Sequence, residues 1–338
     1  MAVYLFDDAP HFRSFIGAAG NVSLDLEDLG PNILVAAENH LIPKIGDELW
    51  NNLVDTFAAP NANNLALLPF VQRPLAMLSM YEYMSVGGFQ VSGRGFHRFE
   101  TEELKSSFKY QESNYRDYML HNGYEAIERL LKTLEANSGN YPLWTATLES
   151  KRNRQAFINY AAELRLLLGK RINRYVFETL WPILIDVETF AISPTIGEDF
   201  FNELKTAIDT KNISEDQQTI IYLIQRAIAH FGQEEAIRRH IVTMKGDAIV
   251  VQEKLEPQGL VREGAPDGGK LRLALRHHNE FANRHISNLK RYLDANRDTY
   301  PTYKNWIEML AEFEIQEHSA EEKFEGIKNS KSQSIIRL

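Results

Sequence analysis

Pro43-Lys-Ile-Gly46-Asp-Glu-Leu-Trp50-Asn-Asn-Leu53 is written twice in this chain. It returns 151 positions later as Pro194-Thr-Ile-Gly197-Glu-Asp-Phe-Phe201-Asn-Glu-Leu204. Both versions read proline, any residue, isoleucine, glycine, two acids, two large apolar residues, asparagine, any residue, leucine. The neighbours repeat in the same order. Leu67, Leu68, Val71, Leu75 and Leu78 return 153 positions on as Ile220, Ile221, Ile224, Ile228 and Phe231, with Gln72-Arg73 matched by Gln225-Arg226 and Gly93 by Gly246. Leu134-Glu-Ala-Asn137 with Tyr141-Pro142 returns 159 positions on as Leu293-Asp-Ala-Asn296 with Tyr300-Pro301. One such match would be unsurprising; four in one order, at an offset that grows by small insertions, describe a tandem duplication.

The expected fold is mainly α: a duplicated helical-bundle unit with a small β-hairpin in each copy. The boundaries read as a first repeat over 1–150, a basic linking helix over 151–180, a second repeat over 181–315 and a flexible tail over 316–338. With 338 residues, 44% hydrophobic and 25% charged, the chain is long enough for two cores and ordinary for a globular protein. No apolar run approaches the roughly 20 residues that span a bilayer. Met1-Ala-Val-Tyr-Leu-Phe-Asp-Asp lacks the basic start of a signal peptide and reads as a mature terminus. The absence of cysteine excludes disulfides, thiolate nucleophiles and Cys-ligated zinc or iron–sulfur sites, and fits a cytosolic birthplace.

Charge divides the chain unevenly. Residues 1–150 hold 10 Lys and Arg against 19 Asp and Glu, leaving 27 of each sign for the remainder, so the whole net charge of −9 sits in the first half. An acidic half argues against binding DNA through its phosphates. The stretch 151–174 is the opposite: Lys151, Arg152, Arg154, Arg165, Lys170, Arg171 and Arg174 against the single acid Glu163. Phe157, Tyr160, Ala161, Leu164 and Leu168 give it a helical apolar face. It reads as a basic solvated face or as an electrostatic clamp on the acidic half, in this subunit or the next.

Local signals place the elements. Gly20, Gly30 and Pro31 break residues 10–40 into two short helices. Pro43 and Gly46 open a helix to about Phe57, its Asp47 and Glu48 suited to the N-terminal dipole. Pro69 and Pro74 predict that the following helix is kinked or begins late. In the second copy Ser214 and Gln217 form a capping-box start. Two alternating runs around Ser92-Gly-Arg-Gly95 predict a hairpin. The loop over 253–270, rich in Gly and Pro, predicts irregular backbone. A helix from Thr101 to about 136 would be roughly 54 Å long, and its Tyr110, Tyr115, Tyr118 and Tyr124 read as core and core edge. From Glu312 the chain turns polar, and the tail is expected to order only against another chain.

Motifs of catalysis are missing. There is no phosphate-cradling glycine loop, no His-Glu-x-x-His and no nucleophile elbow. His277, His278, Glu280 and His285 share a predicted helix but lack the paired Glu-x-x-His of a di-metal bundle, so they read as solvated side chains. His230 with Glu234, and Glu314 with His318, read as surface pairs. No catalytic, cofactor or metal residue is expected.

Pro43-x-Ile-Gly46, Gln90-Val-Ser-Gly-Arg-Gly95 and Leu134-Glu-Ala-Asn137 with Tyr141-Pro142, and their second-copy equivalents at Pro194 to Gly197, Gly246 and Asn296 to Pro301, carry a resemblance over roughly residues 12–310. The chain resembles the head–tail connector (adaptor) proteins of tailed bacteriophages, in particular connector-like proteins of Bacteroidetes phages and prophages. The resemblance implies a helical bundle with a hairpin and a homo-oligomeric ring under the portal. It implies portal and tail proteins as partners, and a channel through which DNA passes without being held. The location implied is the neck of the virion, after assembly in the host cytoplasm, with no membrane involved. One departure is the duplication, since many connectors carry a single unit. Expected structural or interface positions are Ile45, Gly46, Gly93, Ile196, Gly197 and Gly246, with Arg165, Lys170, Arg171 and Arg174 for the charged face. Competing readings are an adaptor of a contractile injection apparatus and a helical-bundle enzyme.

Overall fold

Two separate apolar cores organise the chain, one from Leu5 to Trp144 and one from Phe157 to Tyr303. The structure, a computed structural model, describes residues 4–17, 25–86, 89–92, 95–98, 109–170, 172–240, 243–245, 248–255, 260–264 and 268–323.

The first unit opens with α1 (Ala9–Ile16), whose Asp8 caps it by accepting the His11 N–H. Helix α2 (Leu26–Ala36) widens into a π turn over Ala37–Leu41 and continues as α3 (Ile42–Ile45). Pro43 supplies the reason for the wide turn: it has no N–H to offer the carbonyl four residues back, and its ring crowds that carbonyl. Gly46 then reverses the path at φ +85°, and α4 (Asp47–Asp55) starts with Asp47 and Glu48 against its N-terminal dipole. The long α5 (Ala62–Val86) leads through the short strands β1 (Phe89–Ser92) and β2 (Gly95–Arg98) to α6 (Lys109–Ala136). A 3-10 turn over Ser138–Asn140, α7 (Pro142–Thr145) and α8 (Leu148–Gln155) close the unit.

The second unit repeats this order. It runs α9 (Ala161–Leu168), α10 (Arg174–Val187), a π turn over Glu188–Ile192, α11 (Ser193–Ile196), Gly197 at φ +86°, and α12 (Glu198–Asp209). Then come α13 (Glu215–His240), β3 (Thr243–Lys245), β4 (Ala248–Leu255), β5 (Leu260–Gly264) and α14 (Gly268–Ala295). The 3-10 turn over Arg297–Thr299 and α15 (Pro301–Lys323) end it. The Ser214–Gln217 capping box is formed in both directions, at 3.1 and 3.2 Å. The mainly helical fold and the repeat read from the sequence are therefore what the chain adopts.

In each unit the two long helices pack as an antiparallel pair, α5 on α6 and α13 on α14, with α2 or α10 laid across the first of them. The apolar positions that repeat in the sequence fill the same places in the two cores. Leu67 and Ile220, Val71 and Ile224, Leu75 and Ile228, Leu134 and Leu293 are all fully buried. Trp144 and Tyr303, 159 positions apart, seal equivalent corners.

Several expectations change. Helix α5 does not begin late: it starts at Ala62, with Asn61 accepting the Asn64 N–H, and carries Pro69 and Pro74 inside. The packing of Leu67, Val71 and Leu75 outweighs the lost backbone bonds, since a helix gains more from its buried face than from propensity. The stretch over 151–180 is divided among α8, α9 and α10 instead of forming one linking helix. Residues 101–108 lie outside the described residues, and α6 is seen from Lys109, about 42 Å long. The turn glycines Gly93 and Gly246 also lie outside them. The flanking residues pair antiparallel, Ser92 with Gly95 and Lys245 with Ala248. Within the loop expected to be irregular, Leu260–Gly264 pairs with β4 from Leu255↔Leu260 to Val251↔Gly264. Helix α15 continues to Lys323, past the polar transition at Glu312, and 324–338 lie outside the described residues.

Candidate functional site

Chemistry-bearing side chains gather in three places: the seam between the units, an open cleft at its edge, and a histidine cluster in the second unit. The seam is the most extensive. One face of α6 meets α9 and α10, while α8 reaches across to α12.

Glu128 is the centre of the seam. It is 3% exposed, and its carboxylate oxygens accept the backbone N–H groups of Ala161 at 2.9 Å and Ala162 at 3.2 Å. A carboxylate from the first unit thus satisfies the unpaired donors at the start of the second unit's α9 and meets its positive dipole end. Lys132, one turn along α6, balances it at 3.0 Å. Glu125 and Glu135 share that face and take Arg165 at 2.9 Å and Lys211 at 3.0 Å. Tyr124 meets Tyr175 edge to face at 5.2 Å, and burial with the nearby Glu178 charge pushes its hydroxyl up to about 12.

A second polar group lies beneath. Lys44 of α3 contacts Glu178 of α10 at 2.6 Å and Glu149 of α8 at 3.3 Å. Arg174, 1% exposed, donates to Glu178 at 2.6 Å and to the Asn159 carbonyl at 3.3 Å. Burial alone would raise the Glu178 carboxyl, but Arg174 and Lys44 together hold it below the ordinary carboxylate range.

The residues singled out in the sequence fall as follows. Ile45 and Ile196 are fully buried, one in each core. Gly46 and Gly197 make equivalent reversals, and a Cβ there would come within 2.5 Å of the Thr147 side chain and 2.6 Å of the Trp306 ring. Arg165 and Arg174 of the basic stretch bind acids of this same chain across or beside the seam. Lys170 instead lies 3.2 Å from His278 Nε2, and burial lowers its pKa. Arg171 lies outside the described residues. Tyr124, read as core or core edge, lies in the seam against Tyr175. Glu128 and Glu178 were missed. Their signal was available: Glu125, Glu128 and Glu135 recur at helical spacing on one face, opposite a basic stretch.

The cleft, about 660 Å³, is lined by Arg152, Trp181, Ile185, Glu188, Phe201 and Lys205 among others. Its charged groups are already engaged. Glu188 accepts the Phe157 N–H at 2.8 Å and pairs with Lys205, which also donates to the Gln155 carbonyl; the Arg152 guanidinium stacks 4.2 Å from the Trp181 ring. The arrangement joins α8, α10 and α12 and offers no free acid–base pair.

The histidines require a correction. His230 and His278 are not solvated: they are 6% and 5% exposed, with their Nδ1 atoms 3.1 Å apart between α13 and α14. His285 stacks on His230 at 5.8 Å. Glu234 is buried too, and pairs with Arg238 and Asn279 instead of His230. Burial drives the pKa of both His230 and His278 down to about 4, with neighbouring His285 and Arg226 acting on the first and Lys170 and His277 on the second. His277 and Glu280 are exposed, and Glu280 pairs with Arg276. Among the described residues no group of three or more His, Asp or Glu is placed to hold a metal ion, and no helix is long and apolar enough to cross a membrane.

Residues 42–154 and 192–308 each match DUF6712, described as a family of unknown function. The chain belongs to the DUF6712 family. The two matched segments begin at the Pro43 and Pro194 stretches and end in α8 and α15, so the family's unit is present twice in tandem. This DUF6712 protein has α1–α2 and α9–α10 ahead of each matched segment, and the second of these pairs makes the seam. No curated protein and no solved structure matches the chain.

Proposed function

We propose that this DUF6712 protein is a structural assembly part: a ring-forming head–tail connector of a tailed phage, seated between portal and tail, with DNA passing through its channel. In this reading each copy is a helical bundle with a small hairpin arm, and the role is mechanical, without catalysis. The observation that carries it is the way the two units join. The seam brings the α6 face of one unit against the α9–α10 face of the other, two different surfaces. A contact of that kind is heterologous, and its repetition generates rings or filaments, never a closed two-fold dimer. The two units are thus already two steps of such an array.

The charge distribution supports the same reading. All nine net negative charges lie in residues 1–150. A wall that DNA must slide past should not neutralise phosphates, because each neutralised phosphate adds salt-dependent affinity that slows transit. In the genome that encodes this chain, interrupting its gene should yield heads and tails that fail to join, with the joint restored by supplying the protein in trans. Tailed, infectious particles assembled without it would overturn the connector role.

A further inference from the structure

The seam also says how one chain meets the next. Positions on α6 that the second unit covers have equivalents 159 residues on, along α14, that are exposed among the described residues. Glu125 and Glu128 are half-buried and buried, whereas Arg284 and Ser287 are exposed. Ser150 of α8, the helix that meets α12 of the second unit, is fully buried, whereas its equivalent Met309 on α15 is 41% exposed, beside the exposed Leu310. At the other end of the chain the surface equivalent to α9–α10 is uncovered. Leu34, which stands where Ile185 lines the cleft under α8, is 44% exposed, with Val35 next to it.

The α14 face carries the reverse of the charges on α6, and the α1–α2 face is mainly acidic. In the seam the α6 face supplies Glu125, Glu128 and Glu135, and the α9–α10 side supplies Arg165, Lys211 and a helix N-terminus. On α14 those α6 positions become Arg284, Ser287 and Asp294, and Lys132 becomes Arg291. Asp294 is engaged by the Tyr303 hydroxyl at 2.8 Å, so the arginines dominate. On α1–α2 the counterpart surface carries exposed Asp8, Asp25, Glu27 and Asp28, and half-buried Arg13 where α9 has Arg165.

We infer that the α14–α15 face of one chain docks on the α1–α2 face of a second copy in the geometry of the internal seam. This inference deepens the assembly reading and rests on it. Arg291, in the place of Lys132, then faces Asp8, the counterpart of Tyr160, and Arg284 lies beside Arg13, while Met309 and Leu310 close over Leu34. The α9–α10 side of each second unit is already covered by α6 of its own chain, so second units cannot add to second units. Units therefore alternate first, second, first, second around the assembly. Exposed ion pairs are individually weak, so they select the neighbour, and the apolar contacts hold it.

The chain has no cysteine, which makes site-specific cross-linking clean. Glu125→Cys with Arg165→Cys, bridged by a short bis-maleimide, is the internal control and should link within one chain. The equivalent pair across chains is Arg284→Cys with Arg13→Cys, and the full-length double variant should give a ladder of linked chains that neither single variant gives. Arg291→Glu should raise the concentration needed for assembly about fivefold, the loss of one rim contact. Assembly of the wild type with no ladder would overturn this interface while leaving the ring reading intact. A wild-type chain that stays monomeric even in assembled particles would overturn both.

Discussion

Gln72 and Gln225, 153 positions apart, make the same hydrogen bond. The Gln72 amide donates to the Leu5 carbonyl at 2.6 Å, and the Gln225 amide donates to the Phe157 carbonyl at 2.7 Å. Each tethers the lead-in of α1 or α9 to the first long helix of its unit. The duplicated unit therefore extends upstream of the two matched family segments, to Leu5 and to Phe157.

That tether sets the first prediction. Gln72 is 4% exposed and Leu5 is fully buried, so Gln72→Leu leaves a buried carbonyl without its donor. A cost of about 1–3 kcal/mol follows, and Gln225→Leu should show a similar loss. Urea denaturation of the two variants checks it; an unchanged midpoint in either would show that the tether contributes nothing there.

The reversal glycines give the second. Gly46 and Gly197 sit at φ +85° and +86°, a region costly for side chains, and both lie under the helix that closes the unit. Alanine at either should cost about 1–3 kcal/mol for the backbone alone. Gly197→Ala should be the worse, because its Cβ meets three atoms of Trp306 at 2.6, 2.8 and 3.0 Å, whereas at Gly46 it meets only the Thr147 methyl that closely. Equal melting temperatures for the two variants would contradict this ranking.

The third concerns the seam. Glu128→Ala removes the acceptor for the buried Ala161 N–H and the charge at the head of α9, and should cost about 1–3 kcal/mol. Glu128→Gln keeps an acceptor oxygen and should lose less. Hydrogen exchange should localise the damage to α9. Protection of α9 unchanged in the alanine variant would separate the cap from the seam.

Acid provides the fourth. Folding holds His230 and His278 neutral, with pKa values near 4 against an ordinary 6.5, so the unfolded chain takes up protons first as pH falls. Stability should decline between about pH 6.5 and about 4 and level off below. Glu178, depressed by Arg174 and Lys44, adds a further loss at lower pH as it protonates. The first unit carries Met77 and Met119 at the two histidine positions, both buried. The double variant His230→Met, His278→Met should therefore fold and flatten the decline above pH 4. The same slope in wild type and variant would remove the histidines from the explanation.

Much of the fold was legible because core positions keep their chemical type through duplication. Leu75 and Ile228 differ as residues but fill one slot, and the Pro-x-Ile-Gly reversal survives twice because no other residue tolerates that φ. What stayed hidden depends on tertiary contact. Pro69 and Pro74 pointed to a kinked or late-starting helix, yet α5 starts at Ala62, ahead of both, and the apolar residues around them are buried. His230 and Glu234 fit a surface i, i+4 pair as well as two separate buried contacts, and spacing cannot tell these apart. The seam was half visible: the basic stretch stood out, but its acids were spread along a helix read as core edge. Their single face became apparent only when Arg165 and the head of α9 were set against it.

The most direct test of an assembly built from tandem units is the symmetry of the full-length protein in its oligomer. Native mass spectrometry counts the chains, and cryo-EM class averages count the helical lobes. The expected result is a closed ring with twice as many equivalent lobes as chains, neighbouring lobes joined alternately within and between chains. A two-fold dimer that buries like face on like face, or a monomer at every concentration and in the particle, would contradict it.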